Sequence, residues 1–217
     1  MSESEREVEA TFTERLRLEP ITLLHAQDLW IIHNEDDVAV WYDGWKPTLA
    51  EAEERARLWA GDWREFGVHK WMAYDRVTGE LVGRGGLSRT PADDDWGRIC
   101  RFLPGEPWAG EVLKARRGLD VHAHWLELGW ALRRKFWGQG YASEIGRAGL
   151  DFAFDDLNAE AVVSCTSHRN RRSRAVMARI GMPYAGLLED LGGGDDQAVH
   201  VLLRSQRWTG RQHPKRR

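Results

Sequence analysis

The chain has 217 residues, 42% of them hydrophobic, with a formal net charge of −3 and an isoelectric point near 6.3. That length suits one domain with a sizeable core, and the charge excludes the basic footprint of a nucleic-acid-binding protein. Two cysteines, Cys100 and Cys165, are too few for a disulfide framework or a zinc cage. The N-terminus lacks the apolar centre of a signal peptide, and no segment approaches the ~20 apolar residues of a membrane span, so a cytoplasmic protein is expected, with no membrane, nucleic-acid or metal partner.

Residues 1–11 read as a flexible acidic lead. Leu16, Leu18 and Ile21 then alternate with Arg15, Arg17 and Glu19, which predicts a half-buried first strand stopped by Pro20. Apolar Leu24, Leu29, Trp30 and Ile32 predict a helix over 22–34, and Asp36, Asp37, Asp43 and Gly44 break the pattern. Thr48 with Glu51 forms a capping box for a helix over 49–66, with Ala52, Ala56, Trp59 and Trp63 on one face and Gly67 ending it. Strands over 70–75 and 80–88, joined by Arg-Val-Thr-Gly, read as a hairpin.

Residues 90–124 carry Asp93–Asp95, Pro104, Pro107 and Trp108, with a short helical stretch over 111–117. A connection this long inside a compact domain is usually functional or disordered, and Ile99, Phe102 and Trp108 argue against disorder. As a functional segment it would either cover a ligand pocket or build a homodimer contact. Twelve tryptophans are present; Trp108 precedes the segment described next, and Trp125, Trp130 and Trp137 lie within it.

That segment is 125–142, Trp-Leu-Glu-Leu-Gly-Trp-Ala-Leu, then Arg-Arg-Lys-Phe, then Trp-Gly-Gln-Gly-Tyr-Ala. It predicts a buried strand, a small-residue turn at Gly138–Gly140 and the start of an amphipathic helix carrying Ile145, Ala148, Gly149, Phe152 and Ala153. Such a helix start presents unsatisfied N–H groups and partial positive charge, so an anionic, phosphorylated ligand is expected on it, with the basic run Arg133–Lys135 nearby. Residues 161–166 form a strand expected to lie parallel to 125–132, because a helix crosses between them. A helix over 173–180, strands over 184–187 and 197–203, and a basic tail over 206–217 complete the chain.

Leu-Glu-Leu-Gly-Trp followed by Phe-Trp-Gly-Gln-Gly-Tyr-Ala-Ser-Glu resembles the acetyl-CoA-binding core of the GNAT N-acyltransferases, in particular the ribosomal-protein N-terminal acetyltransferase (RimJ/RimL-like) branch. Trp137, Gly140 and Ala142 occupy the defined positions of its signature, with Trp where the general pattern has Gln or Arg. The segment from His168 to Met182 resembles the same branch's Asn-x-x-Ser helix. The resemblance implies an α/β (α+β by some schemes) GNAT fold, with a mixed, mostly antiparallel sheet of about six or seven strands, helices on both faces, and a splay at strands 4 and 5. It also implies a single acyltransferase domain over 12–205, interrupted by the insertion. The implied activity is transfer of an acetyl group from acetyl-CoA to a primary amine by direct attack in a ternary complex. A non-catalytic acyl-CoA-binding module is the alternative, and a dinucleotide-binding fold fails for want of its glycine fingerprint.

The chemistry needs a coenzyme grip, a base for the ammonium proton and an acid for the thiolate. By the resemblance, backbone amides of Phe136, Trp137, Gly138, Gln139, Gly140, Tyr141 and Ala142 hold the pyrophosphate, with Arg169 or Arg171 near the remaining phosphate. Trp130 and Leu132 pair with pantetheine beside a bulge at Gly129, and Asn170 binds the pantetheine arm. Glu127, a carboxylate in an otherwise apolar strand, is the candidate base; an ion pair with an arginine across the sheet is equally open. The family's tyrosine acid falls on Met177; by resemblance to the branch the Ser173 hydroxyl serves instead, with Tyr184 or Tyr141 as alternatives, or no acid at all for a thiolate that leaves spontaneously, while Asn170 and Ser173 also suit a helix cap. His122 and His124 share a strand face, as a metal site would need, or are solvated loop residues.

Overall fold

The computed structural model describes residues 9–89, 98–103, 125–189 and 195–207. Most of the 90–124 insertion therefore lies outside the described residues, including Asp93–Asp95, Trp108, His122 and His124, as do residues 190–194 and the tail beyond Arg207.

Among the described residues eight strands form one sheet in the order β1-β2-β3-β4-β5-β6-β8-β7. They are β1 (Thr11–Phe12), β2 (Leu16–Pro20), β3 (Lys70–Asp75), β4 (Leu81–Ser88), β5 (Trp125–Leu132), β6 (Ala161–Ser167), β7 (Tyr184–Leu188) and β8 (Gln197–Leu203). The eighth is β1, two residues placed by sequence at the edge of the acidic lead; both are exposed, so they carry no hydrophobic period to detect. The only parallel pair among these strands is β5–β6, as the intervening helix requires. Pro20 does not stop β2 but is its last paired residue, opposite Trp71.

The α-helices among the described residues are α1 (Ala26–Asn34), α2 (Asp36–Ala39), α3 (Leu49–Phe66), α4 (Tyr141–Asp151) and α5 (Arg171–Arg179). Leu23–His25 is a 3-10 turn, so the first helix starts later than predicted. The acidic segment after it is not a plain break: it winds α2 and a further turn at Val40–Tyr42, and the chain reverses only at Asp43 (φ 54°) and Gly44 (φ 76°). The expected α3 capping box is present, with Thr48 Oγ1 accepting from Glu51 N and the Glu51 carboxylate from Thr48 N, and Gly67 closes the helix at φ 66°.

Helices α1 and α3 cover the sheet face that carries Met72 and Ala131, whereas α4 and α5 cover the face of Leu128 and Val162. Close packing of α4 depends on small residues. A Cβ at Gly149 would stand 2.6 Å from a Leu128 methyl, and one at Gly146 would stand 2.8 Å from Ile180. Arg98–Phe102, the described part of the insertion, puts Ile99, Phe102 and Leu103 against β6, β7 and β8, on the side of the sheet that carries Val163. The chain is tied down slightly past the expected boundary at 205, because Arg207 pairs with Asp151 and Asp155.

Candidate functional site

Pairing between β5 and β6 runs through Trp125↔Ala161, Leu126↔Val162 and Glu127↔Val163 and then stops. The splay thus falls between the fifth and sixth strands, one later than the sequence count because of β1. Ser164 Oγ donates to Leu128 O at 2.7 Å at the point of divergence. Arg133 N donates to Val82 O, and with the β4–β5 register this turns the main-chain groups of residues 127, 129 and 131 toward β4. Those of Trp130 and Leu132 face the gap, as expected for a strand awaiting an extended ligand. Trp137 Nε1 donates to Leu132 O at 2.7 Å, closing the far end.

The predicted bulge at Gly129 is absent: β4 and β5 stay in register from Gly83↔Leu132 to Ser88↔Glu127. Glycine is needed there for another reason. A Cβ at position 129 would lie 2.9 Å from Glu127 Oε1 and 3.4 Å from Lys70 Nζ, because both side chains fold across it.

The loop from Phe136 to Gly140 turns through positive φ at Gly138 (76°) and Gly140 (87°) and opens α4. No side chain caps this helix, and its first internal hydrogen bond is Glu144 N to Gly140 O. The preceding amides of the first turn are therefore available to an anion. Arg15 anchors the loop, donating to Gln139 O at 2.9 Å and to the Glu144 carboxylate through its backbone N and Nε at 2.7 and 2.8 Å.

All twelve predicted site residues line one cleft of about 1560 Å³: Glu127, Trp130, Leu132, Asn170, Ser173 and the continuous run 136–142. Single small-molecule sites occupy roughly 300–1000 Å³, so this cleft has room for a coenzyme and an acceptor together. The basic groups reaching it differ in part from those expected: Arg169 lines it, whereas Arg171 and the Arg133–Lys135 run do not. Arg133 pairs with Glu35 at 2.7 Å, Arg134 with Asp37 at 3.5 Å and Lys135 with Glu80 at 2.7 Å. That run braces the loop against α2 and the hairpin. Arg169 is engaged by Asp195. Arg172, its guanidinium 5.2 Å from the Trp137 ring, and Arg179, which donates to Ser143 Oγ, line the cleft from α5 instead.

Glu127 is paired, but with a lysine. Lys70 Nζ lies 2.6 Å from Glu127 Oε2 and 3.0 Å from Gly86 O, and Ser88 Oγ donates to the same carboxylate oxygen at 3.0 Å. Burial pushes the Lys70 ammonium below its usual value, and the Glu127 carboxylate opposes that shift. Cys165, also on the cleft, has its thiol pushed up by burial and by Glu127, which makes it a poor nucleophile. Lys70 was missed in the sequence, although a lysine beginning the apolar run Trp-Met-Ala was a visible anomaly.

Of the two tyrosines proposed as acids, Tyr141 lines the cleft but has its hydroxyl engaged, and Tyr184 lies outside the lining. The Tyr141 hydroxyl donates to Asp75 Oδ2 at 2.7 Å, and that bond raises its pKa. Tyr184 sits on the edge strand against His200, outside the cleft lining. Met177 is buried in the core, as its apolar side chain requires. Asn170 does cap α5, its Oδ1 accepting from Ser173 N at 3.1 Å, and both residues still face the cleft. No group of three His, Cys, Asp or Glu among the described residues is placed to hold a metal, and no described helix is long and apolar enough to cross a membrane.

Residues 15–183 match the family model described as an acetyltransferase (GNAT) domain. Among curated proteins, the uncharacterized protein YkkB of Bacillus subtilis (strain 168) is 26% identical over 179 residues, 80% of this chain and 84% of that protein. The putative ribosomal N-acetyltransferase YdaF of the same organism is 30% identical over 95 residues, 42% of this chain and 52% of its own length. Among solved structures, the microcin C7 self-immunity acetyltransferase MccE in complex with acetyl-CoA and AMP superposes with a TM-score of 0.63 at 15% identity, covering 88% of this chain and 93% of that one.

Proposed function

The chain belongs to the GNAT acetyltransferase family and is an acyltransferase, and from that premise we propose that it moves an acetyl group from acetyl-CoA to a primary amine by direct attack within a ternary complex. The observation that carries this reading is the end of β5–β6 pairing at Glu127↔Val163. It puts an unpaired strand edge, suited to pantetheine, beside a carboxylate suited to an ammonium proton. In this reading the amides of 136–142 bind the pyrophosphate, and Trp130 and Leu132 pair with the pantetheine arm, one of their amides polarising the thioester carbonyl.

Glu127, held by Lys70 Nζ and Ser88 Oγ, is the carboxylate that accepts the ammonium proton in this reading. An alkylammonium with a reference pKa near ~10 must lose a proton before it attacks. The amine nitrogen then bonds to the acetyl carbon as the carbon–sulfur bond breaks, and the second proton shed by that nitrogen passes through the Ser173 hydroxyl to the departing thiolate, leaving the serine as it began. The domain spans 12–205 in this proposal, extended by the Arg207 anchor, and its setting is cytoplasmic. The motifs at 137–142 and 168–182 support the ribosomal-protein acetyltransferase branch.

Free-thiol release from acetyl-CoA over an amine library tests the assignment. Replacing the base, Glu127→Gln, should lower kcat roughly 100-fold or more with the coenzyme's Kd unchanged, the range expected of a general base. A rate within about threefold of wild type would move the base elsewhere.

A further inference from the structure

The half of the cleft away from the coenzyme slot is built on the Glu127 side of the sheet. Residues 84, 86 and 88 of β4 stand opposite 131, 129 and 127 of β5, so Arg84 shares a face with Glu127 about 13 Å farther along, four residues at ~3.3 Å each. Arg84 is only 6% exposed. Its NH2 donates to the Tyr42 hydroxyl at 2.6 Å and its Nε approaches His33 Nε2 at 3.4 Å, and its guanidinium lies 5.5 Å from the Trp59 ring. All of these partners are neutral. Among the described residues no carboxylate forms an ion pair with Arg84, whereas Lys70, Arg15 and Arg133 each have one.

Arg55, partly buried, lies 4.3 Å from the Trp45 ring and 5.8 Å from Trp59; it forms no ion pair among the described residues, and Glu51, one turn earlier on α3, acts on it only through space. Both arginines line the cleft. A buried guanidinium without a counter-charge is costly, and two in one pocket repel each other. The surroundings report the resulting positive field. Burial and the two arginines hold His33 down at about 2, and burial with Lys70 and Arg84 holds His69 down at about 3. Each ring also has a buried Nδ1 with no hydrogen-bond partner.

Resting on the acyltransferase reading above, we propose that the acceptor amine also carries an anionic oxygen group, a carboxylate or a phosphate, which Arg84 and Arg55 bind while its nitrogen lies at Glu127. A planar guanidinium suits such a group because two N–H donors can meet two oxygens. The aromatic rings of Tyr42, Trp45 and Trp59 hold the guanidinium planes and exclude water, which strengthens the interaction. A purely cationic acceptor, such as a polyamine, meets like charge here instead.

Calorimetry on the full chain saturated with CoA tests this with four matched series of increasing length: ω-aminoalkanoates, aminoalkyl phosphates, the corresponding primary amides, and diamines. Members of one or both anionic series should bind about tenfold or more tighter than the amide of equal length, and the better series identifies the group. Arg84→Gln should bring that ratio to about one, and Arg55→Gln, at a partly exposed position less critical for folding, should lower it severalfold. Equal or tighter binding of amides or diamines, or a ratio unchanged in both variants, overturns the proposal. Anion-selective binding without thiol release from acetyl-CoA would sink the acyltransfer reading and leave this inference standing. Transfer preferring neutral or cationic amines would do the reverse.

Discussion

Acid should loosen this protein well before its carboxylates protonate, and the two neutral histidines set the size of the effect. His33 is 1% exposed and His69 6% exposed, with folded-state pKa values of about 2 and about 3 against an ordinary 6.5. In the unfolded chain both rings take up protons as the pH falls through 6.5; in the folded chain neither does until far lower. The unfolded state therefore binds more protons throughout that interval, so stability rises with pH across it and is lost as the pH falls. From 6.5 to 5 is about 1.5 units, and at ~1.4 kcal/mol per unit each histidine costs about 2 kcal/mol, together about 4. His200, likewise depressed by burial, acts in the same direction. Against the roughly 5–15 kcal/mol of a typical domain this is a large fraction. The depressed carboxylates, Glu144 and Asp75, have ordinary values of 4.5 and 3.8 and release their stabilisation only below them, outside the window. Urea unfolding at pH 7 and pH 5, with imidazole proton shifts followed by NMR in the folded state, measures both halves of the argument. A stability difference below about 1 kcal/mol, or either ring titrating near pH 6 while folded, refutes the reasoning.

Other changes probe the site. Tyr141→Phe removes the hydroxyl that Asp75 accepts and should cost about 1 kcal/mol of stability with thiol-release rates unaltered; a large fall in kcat would return Tyr141 to the list of acids. Gly129→Ala inserts a methyl within 2.9 Å of Glu127 Oε1 and should displace the Lys70–Glu127 pair, lowering kcat tenfold or more by ~1.4 kcal/mol of misplacement; wild-type kinetics would show that the pair is free to move. Ser173→Ala keeps the backbone N–H that Asn170 caps, so an effect of roughly 100-fold on kcat at constant coenzyme Kd is expected, and an unchanged kcat removes Ser173 from the reaction. Gly149→Val drives a branched side chain into Leu128 and should destabilise by about 1–3 kcal/mol in thermal unfolding; a neutral result would mean α4 can lift from the sheet.

Local rules made much of the architecture legible from the chain itself. The α3 boundaries followed from Thr48, Glu51 and Gly67, because a cap is a contact between near neighbours. The β3–β4 hairpin followed from its turn, and the 136–140 loop from glycines that adopt positive φ cheaply. Period-based reading failed where no period exists, as in the exposed pair Thr11–Phe12 and the short α2. The pairing of charges was decided only by the tertiary structure. Lys70 and Glu127 are 57 positions apart, and Arg84 on β4 meets His33 on α1 and Tyr42 in the turn after α2. Sequence could announce a carboxylate in an apolar strand and a run of basic residues before a loop. It could not say that the first is held by a lysine, that Arg133–Lys135 are spent on Glu35, Asp37 and Glu80, or that an arginine is buried without a counter-charge. Electrostatic partners are chosen by distance in space, and that distance exists only once the strands are in register.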